Sequence, residues 1–418
     1  MPSFHTQTHC ESSEKMQNKF IIVSVIFLTF IVVNLIRCEN TDKNIHPLTK
    51  SWEKAVPNQE IPEGLTSLSA KQCGACHQKH YEEWKLSTHA HAWTDLQFQA
   101  ELKKESSPYL CINCHIPLQN QQEHIVTGLI EGDIYQPVKE KNPHFDRELQ
   151  QEGINCASCH VRNNAIIGPT GTAKAPHKTI KDTLFLSEQL CISCHNANAV
   201  VTPTLACTFE TGDEWKAGPY FGQKNCISCH MEEIRREIVP GFGERLSHLH
   251  YFAGSGIPKF DTVETKMLNG LAFYPSTLEK SYAINDEITY SLKVKNEFAG
   301  HKVPTGDPER FFSISFELKN ETGTILSTKT ERIGERWEWY PEAKKLADNN
   351  LLPNEVRIFT LSYKAEKREK LTLSVEVTKN RLDKKSAHYN NLQDNYPLFI
   401  TIFSEKYEME VKGRDENR

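Results

Sequence analysis

The pattern of hydrophobic and polar residues divides the 418-residue chain into three stretches. The first is an apolar run from Phe20 to Ile36, preceded by Lys15 and Lys19. An apolar run behind a positive flank is typical of a secretory signal, and a run of this length also lies near the lower limit for crossing a bilayer. We therefore predict that residues 1–38 are an export signal or a retained N-terminal anchor.

The last third of the chain alternates between apolar and polar residues with a period of two. Ile288, Tyr290, Leu292 and Val294 alternate with polar side chains, and the pattern recurs at residues 312–318 and 371–377. This period predicts half-buried strands. Further strands are predicted at 356–363, 397–403 and 407–411, with a turn at 320–323 and an insertion at 332–353. Short strands joined by turns predict an antiparallel, immunoglobulin-like β-sandwich over residues 280–418.

The middle stretch is marked by cysteine and histidine rather than by periodicity. The chain has 13 cysteines and 18 histidines, and five pentapeptides read CxxCH. Their cysteines are Cys73, Cys76, Cys111, Cys114, Cys156, Cys159, Cys191, Cys194, Cys226 and Cys229, and their histidines are His77, His115, His160, His195 and His230. Two thiols at this spacing add to the vinyl groups of one haem, and the next residue lies under the iron. We predict five covalently attached haem c groups, held by these cysteines and ligated by these histidines.

Other uses of cysteine pairs explain this pattern less well. A zinc site would combine two pairs into one, and neither a thiol–disulfide centre nor a disulfide framework requires a histidine after every pair. Five attachment sites within residues 73–230 leave little polypeptide for each haem, so the haems are expected to lie close together. The net charge of −5 and the lack of a basic block argue against a nucleic-acid partner.

The second axial position of each iron requires further ligands, and histidines outside the motifs are the main candidates. The preferred set is His89, His177, His248, His250 and His301. His89 is expected on a helix with Tyr81 and Trp84, and His301 stands in a glycine-flanked loop that can approach a haem closely. His80, His91, His124, His144 and His388 are weaker candidates. The number of histidines permits two on every iron but does not require it.

Four segments resemble the motifs of one known family. They are the first CxxCH with Tyr81, Trp84, Ser87 and His89 (CxxCH-xxx-Y-xx-W-xx-S-x-H), residues 153–156 before the third motif (GVxCxxCH), residues 226–231 with 250–254 (CxxCHM and HxFxG), and residues 300–306 (GHxxPTG). The chain thus resembles the multihaem c-type cytochromes that include the tetrahaem electron acceptor of hydroxylamine oxidoreductase, with an appended GHxxPTG-type β-sandwich. It departs from them in having Val161-Arg162 where the family has Gly-Pro, and in having a fifth motif.

The resemblance implies an α+β multidomain protein with a mainly helical, haem-packed domain, histidine pairs at most irons, and electron transfer outside the cytoplasm. The predicted boundaries are a signal or anchor at 1–38, a linker at 39–72, a pentahaem domain at 73–257, a connector at 258–279 and the sandwich at 280–418. Residues 35–38 resemble a lipoprotein cleavage box, although Arg37 stands where a small residue is usual. Attachment to a membrane through the N-terminal segment or an acylated Cys38 therefore stays open.

The function predicted from the sequence is an exported, periplasmic electron carrier between a membrane or periplasmic donor and an acceptor, with redox proteins as partners and no catalytic residue assigned. The alternative is a reductase or oxidase of nitrite, hydroxylamine or sulfite, in which one iron keeps an open axial position. Against this alternative, no motif carries the lysine that pentahaem nitrite reductases have at their catalytic haem. A third reading is a binding module in which the sandwich recognises a partner and the haems only sense redox state.

Overall fold

The computed structural model describes residues 44–104, 109–172, 174–202, 205–261, 264–392 and 396–413. The predicted signal segment and Cys38 lie outside these residues. Within them, no helix is both long enough and apolar enough to cross a membrane.

The α-helices of the described residues are short, with five to eight residues each. They are α1 (Ala70–Gly74), α2 (Gln78–Lys85), α3 (Leu96–Leu102), α4 (Tyr109–His115), α5 (Arg147–Gln151), α6 (Cys156–His160), α7 (Glu188–His195), α8 (Thr211–Ala217), α9 (Cys226–His230) and α10 (Lys384–Tyr389). Two single turns of 3₁₀ helix lie at Ser51–Glu53 and Gln119–Gln121. Every CxxCH motif lies in one of these helices or, for the first motif, runs from α1 to the start of α2.

Small sheets alternate with the helices in the region of the motifs. Their strands are β1 (Ile45–His46), β2 (His124–Ile130), β3 (Pro137–Lys141), β4 (Val161–Arg162), β5 (Ala165–Gly168), β6 (Thr179–Lys181), β7 (Asn198–Thr202), β8 (Leu205–Thr208), β9 (Glu233–Glu237) and β10 (Glu244–His248). The expectation of a mainly helical haem domain is therefore wrong, since the chain is 20% helix and 34% strand. A CxxCH motif needs only one or two helical turns, and here the chain returns between motifs mostly through strands and hairpins.

Two larger sheets form the last third of the chain. Their strands, with a separate hairpin of β16 and β17, are β11 (Leu271–Pro275), β12 (Ser281–Ala283), β13 (Glu287–Asn296), β14 (Phe311–Asn320), β15 (Ile325–Ile333), β16 (Arg336–Glu338), β17 (Lys344–Ala347), β18 (Val356–Lys364), β19 (Glu369–Asn380) and β20 (Phe399–Lys412). One sheet has the order β12-β20-β19-β14-β15 and the other β11-β13-β18. The expected purely antiparallel arrangement is also wrong, because β12 pairs with β20 in parallel.

The alternating pattern predicted for these strands is confirmed residue by residue. Ile288, Tyr290, Leu292 and Val294 of β13 are all buried, and they share one apolar core with residues of β14 and β19 from the other sheet. The two strands predicted at 397–403 and 407–411 are one continuous strand, β20. Apolar clusters in the region of the motifs are much smaller. Side chains alone therefore do not fill the interior of the region that carries the five motifs.

Candidate functional site

One continuous cavity of about 3090 Å³ occupies the region of the five motifs. The cysteines and the histidine of every motif contribute to its wall, together with residues of the loop at 298–306. Pockets for single small molecules usually measure roughly 300–1,000 Å³. The cavity is therefore large enough for several bulky groups side by side.

Local capping fixes two of the motifs. Asn155 precedes α6, and its side chain accepts a hydrogen bond from the backbone NH of Ser158 at 3.1 Å, while the Ser158 hydroxyl accepts one from the Asn155 NH at 3.2 Å. Asn225 and Ser228 repeat the arrangement before α9, at 2.9 and 3.0 Å. Such reciprocal caps stabilise the first turn of a helix. They hold the CxxCH residues of the third and fifth motifs in helical conformation.

Hydrogen bonds orient most of the motif imidazoles. The Nδ1 atom of His115 lies 2.6 Å from the Ala92 carbonyl oxygen, that of His160 lies 2.9 Å from Ile167 and that of His230 lies 2.6 Å from Ala253. A weaker contact of 3.4 Å joins His77 to Ile238. Because a carbonyl only accepts, the ring must carry its proton on Nδ1, which leaves Nε2 free to bind a metal ion.

Four motif histidines face a second imidazole across the cavity. The ring centroids are 6.5 Å apart for His77 and His177, 6.2 Å for His195 and His89, 6.3 Å for His160 and His250, and 6.3 Å for His230 and His301. A first-row metal ion binds an imidazole nitrogen at about 2.0–2.1 Å, so two rings on opposite sides of one ion have centroids about 6 to 6.5 Å apart. The residues present therefore fit four irons that each lie between two histidines.

Two of the four second imidazoles are oriented by backbone carbonyl oxygens, as most of the motif imidazoles are. Nδ1 of His301 lies 2.7 Å from the Lys302 carbonyl oxygen, and Nδ1 of His250 lies 2.8 Å from that of His248. Nδ1 of His177 contacts the Thr179 hydroxyl at 3.2 Å. His89 instead packs against Phe252, with ring centroids 4.4 Å apart.

The remaining histidine candidates have other partners. His248, from the preferred set, points its Nδ1 at the Met231 carbonyl oxygen at 2.7 Å and faces no motif histidine in the described residues. His80 lies edge-on to His77, and its Nε2 is 2.9 Å from the Ser247 hydroxyl. His89 follows the end of α2 in a turn, so the expectation of a helical His89 is wrong.

His115 differs from the other four motif histidines. No second imidazole faces it among the described residues. Instead the ring of Phe98 stacks on it, with centroids 3.6 Å apart and an angle of 7° between the planes. Among the described residues, the histidine of the second motif thus faces no second imidazole, and Phe98 is a contact that the sequence did not predict.

Burial keeps these imidazoles neutral. Loss of solvation lowers the pKa of His115, His195 and His301 to about 4 and that of His89 and His250 to about 3. Nearby positive charges contribute to the lower pKa of His195 and His301. Because only a neutral imidazole binds a metal ion, these rings are ready to act as ligands at neutral pH.

Contacts between thiols reveal which motifs are neighbours. Three pairs of thiols lie close enough to shift each other's pKa: Cys73 with Cys156, Cys114 with Cys194, and Cys191 with Cys226. The first motif therefore adjoins the third, and the fourth adjoins the second and the fifth. The motif thiols are free of disulfide bonds, and the described residues contain no cluster of three or more acidic, cysteine or histidine side chains suited to a bare metal ion. The donor set fits covalently attached haems better than zinc.

Comparisons with known proteins agree with this fit. Residues 72–161 match the family described as cytochrome c554 and c-prime. The chain is similar in structure to a penta-haem cytochrome c552 from Thermochromatium tepidum, with a TM-score of 0.60 and 17% identity over 83% of this chain and 100% of that chain. The matched share is too large to be confined to residues 73–257, so the strands beyond the motifs belong to the common fold. The family match and the shared fold support a multihaem c-type cytochrome.

Other structural matches are weak. A CARDB domain from Pyrococcus furiosus has 15% identity and a TM-score of 0.18 over 34% of this chain and 87% of its own. A β-glucosidase from Listeria innocua has 13% identity and a TM-score of 0.19 over 36% of this chain and 17% of its own. These scores support no conclusion. No curated protein matches the chain.

Proposed function

We propose that the chain binds five haem c groups and carries electrons between redox proteins. The observation that carries the proposal is the set of four facing histidine pairs along one cavity that all five motifs line. A bound haem supplies one-electron chemistry at its iron. An iron closed by two imidazoles has no position for a substrate, which suits electron transfer.

The protein's own residues perform three tasks in this proposal. The motif cysteines attach the haems, and the paired imidazoles ligate the irons with their Nε2 atoms. Backbone carbonyls such as those of Ala253 and Lys302 hold the rings in one orientation. Aromatic side chains, such as the buried Phe98 and the half-buried Phe252, shield the rings from water.

The proposal includes a location and partners. An export signal at residues 1–38 would direct the chain to the periplasm or the outer face of the cytoplasmic membrane, where c-type haems are attached. The N-terminal segment or an acylated Cys38 would keep it at a membrane. The donor and the acceptor would then be redox proteins of the same compartment.

A test of electron transfer uses the purified protein. The reduced protein is mixed in a stopped-flow instrument with less oxidant than it has haems, and the absorbance of the haems is followed. We expect the electrons to redistribute among all haems in one rapid process, because neighbouring motifs are in contact. Haems that reoxidise independently, or that number fewer than five, would contradict the proposal.

The unpaired His115 favours a second candidate function. An iron held by His115 alone would keep an axial position for a small molecule, as a nitrite, hydroxylamine or sulfite reductase requires. The discriminating experiment is turnover of each compound with a reduced viologen as donor. Turnover that His115→Met removes and His144→Ala leaves unchanged supports the reductase. No turnover with any of the three supports the carrier.

A further inference from the structure

Four basic side chains meet at the cavity wall where the two-sheet region adjoins the motifs. They are Lys259, Arg310, Lys379 and Arg381. Lys379 lies near the end of β19 and Arg381 directly follows that strand, while Arg310 directly precedes β14. Their charges repel one another: burial, together with the charges of Arg381 and Arg310, lowers the pKa of Lys259 to about 8. An accumulation of partly desolvated positive charge is costly unless anions lie nearby.

Asp95 balances the positive charge of two of the four basic side chains, Lys259 and Arg381. Asp95 forms an ion pair with Lys259, and its Oδ1 lies 3.6 Å from the Arg381 guanidinium and accepts a hydrogen bond from the Tyr396 hydroxyl at 2.6 Å. Arg381 also donates to the carbonyl oxygens of Ile257 and Pro258 at 2.9 and 2.8 Å. Lys259 and Arg381 thus have structural roles within the protein.

Arg310 lacks a comparable partner. Its Nη1 donates to the Thr305 carbonyl oxygen at 3.3 Å, and no carboxylate of the described residues lies within 4.0 Å of it. Asp307 is the acid whose charge acts most on Arg310, and it accepts a hydrogen bond from the Glu309 NH at 2.9 Å. Arg310 lies on the side of the cavity that holds the fourth motif, because its charge lowers the pKa of His195. A Cβ built at Gly306 would lie 3.1 Å from the Arg310 Nη1 and 3.3 Å from the Phe209 ring, and the Phe209 NH donates at 2.8 Å to the carbonyl oxygen of Ala197, two residues after His195.

Lys379 lies beside the fifth motif. Its Nζ is 3.4 Å from the carbonyl oxygens of Gly254 and Leu268, which are long contacts, and it forms no ion pair with a described carboxylate. Gly254 follows Ala253, whose carbonyl oxygen orients the His230 ring. Burial and the charge of Arg310 lower the pKa of Lys379 to about 8.

We propose that Arg310 and Lys379 bind the propionate carboxylates of the haems attached to the fourth and fifth motifs. The inference rests on the proposed binding of five haems. Propionates are the anions that haem brings into the cavity, and an ammonium or guanidinium with free donors at the wall is suited to them. The two-sheet region would then supply both a ligand, His301, and the positive charge that raises the reduction potentials of these haems.

The test compares Arg310→Gln and Lys379→Gln with Lys370→Gln in the purified holoprotein. Lys370 is an exposed lysine at the other end of β19 and serves as the matched control. A positive charge beside a haem favours the ferrous state, so its removal lowers the reduction potential. In each of the first two variants we expect at least one of five midpoint potentials to fall by about 60 mV, equivalent to a tenfold change for a one-electron couple.

A second readout reports the carboxylates themselves. Resonance Raman spectra contain a propionate bending band that responds to hydrogen bonding, and we expect it to shift in both glutamine variants and to stay unchanged in Lys370→Gln. An unchanged band in both variants would overturn the proposal, even if a potential moved. If Arg310→Gln does not fold, Lys379→Gln decides the question alone. The haem content of the wild-type protein is measured separately, so a failure of haem binding is distinguished from a failure of this inference.

Discussion

At the scale of single residues, the orientation of each facing imidazole depends on the group that contacts the ring on the side away from its partner histidine. His301 is an example, because its Nδ1 is held by its own loop and its ring lies 6.3 Å from that of His230. If the proposed ligands are correct, we expect His301→Ala to convert one of the five proposed haem irons from low-spin to high-spin, since the iron at the fifth motif would lose its second ligand. Low-temperature EPR of the ferric protein measures this change. The exposed His144 provides the control, and His144→Ala should leave the spectrum unchanged.

A buried ion pair supports another of the ligands. Glu83 and Arg236 form a bidentate pair, and Glu83 Oε2 also accepts the His250 backbone NH at 2.8 Å. Glu83→Gln would leave the Arg236 charge buried without a counter-ion, and we expect a loss of about 3–5 kcal/mol in the free energy of unfolding. Denaturant titration measures it. Glu317→Gln, in a half-exposed pair with Lys319, should cost less than about 1 kcal/mol, and equal losses would refute the interpretation.

The residues that bear the chemistry could be predicted only in part. CxxCH is a local pattern, so the five motifs are recognisable without a structure. The pairing of histidines is not local: His89 lies close to the first motif in sequence but faces His195 of the fourth, while His177, which follows the third motif, faces His77 of the first. His248 and His250 are two positions apart: His248 is the last residue of β10, and His250, beyond the strand, is the one that faces His160.

At the scale of elements, the loop with His301 is held against helix α8. The Thr305 hydroxyl donates to Glu214 at 2.7 Å, and a Cβ added at Gly218 would lie 2.0 Å from the Gly300 carbonyl oxygen. Gly218 has an extended backbone that alanine can adopt, so the cost of Gly218→Ala comes from this clash alone.

We expect Gly218→Ala to lower the free energy of unfolding by about 1–3 kcal/mol and to weaken the low-spin signal of the fifth haem. Denaturant titration and EPR of the same samples measure the two effects. Glu321→Ala is the control, because Glu321 is an exposed residue of the turn between β14 and β15 and does not line the cavity. A Gly218→Ala protein with wild-type stability and spectrum would show that this contact does not position the loop.

The strands of the last third follow directly from their period of two, whereas the hairpins among the motifs do not. The side chains of β13, β14 and β19 are divided between a buried and a more exposed face. The alternation of apolar and polar residues in the sequence therefore predicts these strands. Strands β9 and β10 border the cavity in which we propose that the haems lie. Most of their residues are polar or exposed, so their polarity does not mark them as strands. The expectation of helices in the region of the motifs came from the family resemblance and not from the residues of these strands.

At the scale of the whole molecule, the cavity makes the fold depend on its haems. Without haems the largely apolar wall of this 3090 Å³ cavity would face water, and the small apolar clusters around the motifs would have to hold that region alone. A domain has only about 5–15 kcal/mol of stability. Protein produced without haem attachment is therefore expected to lack cooperative thermal unfolding around the motifs, as followed by near-ultraviolet circular dichroism of Trp84 and Trp215. Cooperative unfolding at the temperature of the holoprotein would contradict this expectation.

Haem content and iron coordination test the central proposal together. The haem count per chain comes from the absorbance of the pyridine derivative, and the spin states come from low-temperature EPR of the fully oxidised protein. We predict five haems, of which four are low-spin with two histidines and one, held by His115, is high-spin. Fewer than five haems, or more than one high-spin iron, would contradict the facing pairs as ligands, and five low-spin irons would contradict the open position at His115.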